Sequence, residues 1–333
     1  MRSTLTAALV ATAALFAPLQ ALAEEVSLRL AHVFPAQSSV GEAADMFARL
    51  ADERSEGRIK VTVFPAGQLG GDEAIGRELS RGTIQLALVN PNSLVGIDPL
   101  FDFHILPYIV SNYEEADRIF YGEPNILHET LNDALERHRM KRLGYFENDF
   151  RAISNSRHAV ATVADLAGLK LRVVPSQSLK LFFEKAGSQA IVLPFPEVFT
   201  ALQQGTVDGQ ENGVILTHQA RLFEAQKHVT LSNHSYVMST ITASTRALER
   251  LSAEDQALLA EIGDEVGKWQ VQRNRENVAS ALEELRAAGV EILELTPEAV
   301  QGFRDLAEEV WNELTPVYGQ ERVDALRALI AAN

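Results

Sequence analysis

An α/β protein of two similar lobes is the fold this sequence predicts, and three observations carry it. A βαβαβ order of apolar strands and amphipathic helices occurs twice, first over 26–89 and again over 169–212. Both copies close a helix on glycine and step into a strand in the same way, at Gly82-Thr83-Ile84 and Gly205-Thr206-Val207. The chain has 333 residues, 46% of them hydrophobic, which is enough for two cores. A duplicated unit of this kind implies two lobes facing each other across a cleft.

Taken in order, Val26–His32 reads as a strand ending on a polar residue. Val40, Ala43, Ala44, Phe47, Leu50 and Ala51 recur at helical spacing. Ile59–Phe64 alternates as a strand, which Pro65-Ala66-Gly67 stops. A helix through Leu79 ends at Gly82, and Ile84–Val89 is a near-continuous apolar run of the kind buried on both faces. In the second copy Leu169–Val174 is a strand, and Leu179, Phe182 and Phe183 mark a helix that Gly187 terminates. After a strand at Ile191–Leu193, Pro196 opens a helix, because its missing N–H falls in the unsatisfied first turn. Gly205 closes that helix in a left-handed conformation. Thr206 and Val207 then enter the last strand, with Asn212 near its C-terminal end, where open α/β sheets bind ligands.

Between the copies, Pro99–Tyr145 holds an apolar loop and helices near Glu114–Phe120 and Leu127–His138. Beyond them, Ser252 with Asp255 resembles a capping box, and a helical pattern runs on to Gly289. One helix of that span is roughly 50 Å long and bridges both lobes; the alternative is two helices broken near Gly267. The tail holds helices at Pro297–Leu314 and from Glu321.

Met1–Ala23 reads as a secretory signal peptide, with Arg2, an apolar run through Phe16 and the cleavage site Ala21-Leu22-Ala23. The run is too short to span a membrane, and Glu24 and Glu25 follow it. A net charge of −15 argues against nucleic acid or anionic lipid as partner. No cysteine is present, so there is no disulfide framework; a large exported chain of this kind suits a bacterial periplasm. The eight histidines form no H-E-x-x-H pattern, and no G-x-S-x-G elbow occurs. No metal, no cofactor and no catalytic residue is therefore expected, and the protein is expected not to be an enzyme. Plentiful acidic residues leave a periplasmic hydrolase as the alternative from another class.

Five stretches carry a family resemblance: Gly57-Arg58-Ile59-Lys60-Val61, Gly67-Gln68-Leu69-Gly70, Phe150-Arg151, 165–173 (Asp-Leu-Ala-Gly-Leu-Lys-Leu-Arg-Val) and 201–212 (Ala-Leu-Gln-Gln-Gly-Thr-Val-Asp-Gly-Gln-Glu-Asn). From Leu28 to about Gly289 the chain resembles the DctP-type periplasmic solute-binding proteins of tripartite ATP-independent periplasmic (TRAP) transporters. The resemblance implies the two-lobed periplasmic-binding-protein fold, with hinge strands and a long helix across both lobes. Lobe I is expected over 24–148 plus about 238–277, and lobe II over 149–237 plus about 278–333. It further implies a monomer that captures a small organic acid by lobe closure and delivers it to the membrane subunits of the transporter. In such a protein Arg172 clamps the ligand carboxylate, Asn212 contacts the same end, Arg151 assists and Phe195 lines the site. Asp149 stands where the family commonly has glycine, and Gly213 where it commonly has proline.

The residues themselves admit this chemistry. Arg172 lies inside the apolar run Leu171-Arg172-Val173-Val174, where a lone charge costs several kcal/mol unless it is paired or solvated. Its fork of donors matches a carboxylate, at about 1.5–3 kcal/mol for each charged hydrogen bond. A structural ion pair with Glu197 or Glu211 is the alternative. Asn212 is either an orienting amide or a turn residue before Gly213, Arg151 either a second clamp or a surface charge, and Phe195 either pocket wall or core. The first lobe offers His32, Asn90 and Asn92 after apolar strands, and Glu147 and Asn148 lie beside the lobe crossing as acceptors for hydroxyls. No arginine is evident opposite Arg172, and Glu147 and Asp149 would repel a second carboxylate if they face the cleft. The expected ligand is thus a sugar acid or similar hydroxylated monocarboxylate, with Arg151 and Arg172 sharing one carboxylate. A C4-dicarboxylate is the alternative.

Overall fold

Burying one face of each helix against strands that are apolar on both faces gives the same unit twice. The computed structural model describes residues 25–332, so the expected signal peptide, Met1–Ala23, lies outside the described residues. The first unit is β1 (Val26–His32), α1 (Ser39–Arg54), β2 (Ile59–Phe64), α2 (Asp72–Arg81) and β3 (Leu86–Val89). Two helices follow, α3 (Tyr113–Phe120) and α4 (Ile126–Arg137), and then a strand, β4 (Met140–Asn155). The second unit is β5 (Lys170–Val173), α5 (Gln177–Lys185), β6 (Gln189–Val192), α6 (Val198–Gln203) and β7 (Gly209–Gly213). Next come α7 (Val214–Gln219), β8 (His228–Leu231), β9 (Tyr236–Ser244), α8 (Thr245–Leu248), α9 (Ala253–Glu276), α10 (Val278–Ala287), β10 (Glu291–Glu294), α11 (Pro297–Tyr318) and α12 (Gln320–Ala331).

The duplication is exact in topology. β1 lies between β2 and β3, parallel to both, and β5 lies between β6 and β7, parallel to both. Of the expected turn chemistry, Gly82 follows α2 at φ 79° and Ser252 caps α9 through the Asp255 N–H; Ser38 and Ser176 cap α1 and α5 in addition. The helix at Pro196 opens as a 3-10 turn, Phe195–Glu197, before α6 begins. The last strand starts at Gly209, later than Thr206, and still places Asn212 next to its C-terminal end.

Two strands join the units. β9 lies antiparallel beside β3, β4 lies antiparallel beside β7, and β4 and β9 pair with each other, giving the order β2-β1-β3-β9-β4-β7-β5-β6. β8 adds to β4, and β10 to β8. β4 changes partner within a few residues: Phe150 is still opposite Tyr236, whereas Arg151 is opposite Gly213. A bulge between Glu147 and Phe150 marks the change, and Asp149 sits in it at φ 64°, a conformation normally left to glycine. The Asp149 carboxylate accepts from the Phe150 N–H (2.7 Å) and the Tyr113 hydroxyl (2.5 Å), which holds it there. A Cβ on Gly213 would come within 3.0 Å of the Asp149 Cβ. The two departures from the family pattern thus touch, and the small residue at 213 makes room for the larger one at 149.

The helical pattern that follows Ser252 is neither one 50 Å helix nor broken at Gly267. α9 has 24 residues and ends at Asn277, where α10 begins. At about 1.5 Å per residue its length is about 36 Å. Gly267 does not break the helix because its role is contact. A Cβ there would lie 2.0 Å from the Tyr145 carbonyl oxygen, and one on Gly263 would lie 2.8 Å from that of Leu143. α9 therefore rests directly on β4 and also packs on α1, with Asn274 Oδ1 accepting from Ser39 Oγ at 3.1 Å. α10 packs on α7, α11 on α5, and α12 on α4. Among the described residues no helix is long and apolar enough to cross a membrane.

Gly267→Ala tests the contact. Alanine is the better helix former by about 1 kcal/mol, yet it must displace the β4 backbone, and overpacking of this kind costs about 1–3 kcal/mol. Chemical denaturation should show a net loss of stability; a gain would mean that α9 does not press on β4.

Candidate functional site

The C-terminal edges of both units converge on one cleft. Arg172, on β5 between Ile191 of β6 and Gln210 of β7, is fully buried. Its Nε and Nη2 donate to the Leu193 carbonyl at 3.0 and 2.7 Å, while Nη1 has no partner in the protein. Burial lowers its pKa to about 10, with the charges of Glu211 and Asp72 opposing, so it is a cation at neutral pH.

Glu211 is taken by another arginine. Arg151 Nε pairs with Glu211 Oε2, both side chains being fully buried, and Glu211 Oε1 accepts from the Val174 N–H at 3.0 Å. Burial pushes this carboxyl up, but Arg151 and His234 outweigh it and hold the pKa down at about 2. Arg151 Nη2 is also spent, on the Glu211 carbonyl and on Asn212 Oδ1 (3.1 Å). Arg151 thus stands behind Asn212, outside the cleft lining, and fixes the orientation of that amide; Asn212 Nδ2 in turn bonds Gln210 Oε1. Glu197, the other partner considered for Arg172, is exposed in the 3-10 turn.

The cleft has a volume of about 320 Å³. From the second unit it is lined by Arg172, Val174, Pro175, Pro194, Phe195, Asn212 and Leu216. From the first it is lined by Asn90, Ser93 and the start of α2: Gly71, Asp72, Glu73, Ala74 and Arg77. The two units also touch directly beside the cleft. A Cβ on Gly67 would fall 2.7 Å from Pro196 Cγ, one on Gly71 would fall 3.2 Å from Pro194 Cβ, and the rings of Phe34 and Phe195 lie 6.2 Å apart.

The first-lobe residues named from sequence fare unevenly. Asn90 lines the cleft; its Oδ1 accepts from Ser239 Oγ (2.5 Å) and from Asn148 Nδ2 (3.4 Å), so Asn148 supports it from behind. His32 and Asn92 are fully buried outside the lining, and burial lowers the His32 pKa to about 4, leaving the ring neutral. Glu147 does not face the cleft. Its carboxylate accepts from Arg275 Nε (2.7 Å), Tyr236 Oη (2.5 Å) and Asn274 Nδ2 (3.0 Å) on the α9 side of β4. Asp149 is turned to Tyr113, so neither acid is placed to repel a ligand.

Sequence reasoning missed the α2 residues. Asp72 is buried with Oδ1 unpartnered, and burial pushes its carboxyl up to about 7 against the opposing effects of Ser93 and Arg172. Arg77 corrects the expectation of no arginine opposite Arg172; it is half-exposed on the cleft wall and paired with Glu73 at 2.6 Å. The available signal was position: Asp72 follows Gly70-Gly71 at the start of the helix after β2, on the ligand-bearing edge of the sheet. Two larger recesses, of about 440 and 540 Å³, flank α9, but Arg275, Lys268 and Arg273 in their walls are already ion-paired.

Two lobes that exchange strands around a cleft in which a buried guanidinium nitrogen is left without a protein partner have the architecture of a periplasmic solute-binding protein. Residues 30–316 match the family described as bacterial extracellular solute-binding protein, family 7 (DctP), and the chain belongs to it. This family supplies the binding proteins of TRAP transporters, which capture small carboxylates in the periplasm and deliver them to the membrane subunits; they are not enzymes, which removes the hydrolase alternative. The chain is 31% identical over 267 residues to the 2,3-diketo-L-gulonate-binding periplasmic protein YiaO of Escherichia coli, covering 80% of each chain. It is 29% identical over 316 residues to the C4-dicarboxylate-binding periplasmic protein DctP of Rhodobacter capsulatus, covering 93% of each. The crystal structure of the sugar acid binding protein DctPAm of Advenella mimigardefordensis in complex with galactonate superposes with a TM-score of 0.88 at 29% identity, covering 93% of this chain and 99% of that one.

The raised Asp72 pKa makes a prediction with a definite sign. The folded protein holds this proton more tightly than the unfolded chain, whose carboxyl titrates at the ordinary 3.8. Stability from the neutral carboxyl is therefore present below about pH 4 and lost as the pH rises to about 7. In ligand-free protein, Asp72→Asn should raise Tm over the wild type more at pH 8 than at pH 5; an equal difference at both would refute the assignment.

Proposed function

We propose that this protein captures a sugar acid, a hydroxylated monocarboxylate, between its lobes. Arg172 Nη1 and Asn212 receive the carboxylate, and Asp72, Ser93 and Asn90 receive hydroxyls from the opposite wall. Phe195 forms one side of the cleft, and Arg151 and Asn148 act through the residues they hold. The observation that carries this reading is a complementary pair of unsatisfied atoms in one cleft: a buried arginine N–H on one wall and a buried carboxylate oxygen on the other. A hydroxyl relieves Asp72, whereas a second carboxylate would face it unfavourably. Of the relatives named above, two have sugar acids as ligands. Arg77 is the specific observation that favours a C4-dicarboxylate instead, and it is weakened by its pairing with Glu73.

We also propose the division into lobe I (24–148 plus about 238–277) and lobe II (149–237 plus about 278–333), with closure about the β4 and β9 crossings. The partner change of β4 at Phe150 and Arg151 supports it. Ligand binding then favours the closed state. Small-angle scattering should give a smaller radius of gyration with ligand than without, and an unchanged radius would argue for a rigid preformed pocket.

Titration calorimetry tests the ligand class. Galactonate or a related aldonate should bind more tightly than succinate or malate; the reverse order would overturn the sugar-acid reading. Arg172→Ala should abolish binding with the fold retained, and Arg172→Lys should not rescue it, because a point charge cannot reproduce the fork. Near-normal affinity in Arg172→Ala would remove Arg172 from the site, and near-normal affinity in Arg172→Lys would show that a cation alone suffices there.

A further inference from the structure

The cleft holds two arginines but leaves only one of them free. Arg172 has an unpartnered N–H, while Arg77, on the facing wall, gives its Nη2 to Glu73 Oε1 at 2.6 Å, one turn earlier on α2. Glu73 is seated as well as paired. A Cβ on Gly96 would lie 2.9 Å from Glu73 Oε1, so the absence of a side chain at 96 makes the space in which that carboxylate rests. Beside it, buried Asp72 keeps an unsatisfied oxygen. The wall met by the far end of a ligand therefore presents one cation that is already matched and one further acid. Electrostatically, such a wall accepts hydroxyl donors and disfavours a second anion.

We propose that Glu73 is the charge selector of this cleft: by occupying Arg77 it makes the site prefer acids with one carboxylate over those with two. The proposal rests on the sugar-acid reading of the cleft and deepens it. Arg77 and Glu73 are each about half exposed, and an exposed i,i+4 pair is weak. Removing the glutamate charge therefore frees the arginine without uncovering a buried charge. Freed, Arg77 offers a fork to a second carboxylate held at the far end of a ligand whose first carboxylate is on Arg172.

The cleanest probes are the aldonate and the aldarate of one sugar, galactonate and galactarate, which share a carbon skeleton and differ at C6 only in hydroxymethyl against carboxylate. The measured quantity is the ratio of their Kd values, by calorimetry at low and at high salt. The wild type should favour galactonate. Glu73→Gln should move the ratio toward galactarate by about fivefold at low salt, less at high salt, and adding Arg77→Gln should reverse the shift. A ratio unchanged in Glu73→Gln, or a shift that survives loss of Arg77, overturns the selector while leaving galactonate binding, and with it the cleft reading, intact. Wild-type protein that binds neither acid overturns both.

Discussion

A guanidinium buried on a strand inside an α/β lobe must have its donors met, and in Arg172 the Leu193 carbonyl meets two of the nitrogens and leaves Nη1 without a protein partner. The condition for this is set by a different pair. Arg151 and Glu211 pair in a fully buried contact, so Glu211 acts on Arg172 through its charge without a hydrogen bond to it. Breaking that pair would leave an uncompensated buried charge, at about 3–5 kcal/mol. It would also release Asn212, whose Oδ1 is held by Arg151. The ion pair is thus structural in its bonds and functional in its effect: it keeps one arginine available and one amide aimed.

The same division between binding and support runs through the hinge. Glu147 and Asp149 lie on the strand that passes from one unit to the other, and both carboxylates are taken by protein partners: Arg275, Asn274 and Tyr236 for Glu147, Tyr113 for Asp149. They tie the crossing to α3, α9 and β9. Close seating of α9 on β4 through Gly263 and Gly267 gives the crossing a stiff backing. The bulge at Asn148–Asp149 is the irregular point of that strand, and hinge rotation concentrates where regular pairing is interrupted.

Binding carries a cost in the ligand-free protein. Arg172 Nη1 and Asp72 Oδ1 are buried without protein partners, and burial lowers the pKa of the first and raises that of the second. Unsatisfied groups of this kind each cost about 1–3 kcal/mol, which a ligand of matching chemistry recovers.

Much of the architecture was legible in the sequence because it depends on local pattern. The two βαβαβ units, the glycine at Gly82, the caps at Ser252 and the strand that carries Arg172 all follow from periodicity and turn chemistry within about 20 residues. The motif around Gln210-Glu211-Asn212 identified the family and the second-lobe side of the cleft. What the tertiary structure decided is which polar groups were already spoken for. Arg151 finds Glu211 60 residues away, Glu147 finds Arg275 128 residues away, and Asp72 meets the field of Arg172 only because two units fold face to face. Gly267 likewise, in sequence only an alternative place for a helix break, is a contact in the fold. Sequence pattern records how buried a residue is to be, whereas charge pairing over such separations is settled only when distant strands come together, and in this protein it is the pairing that leaves Arg172 free.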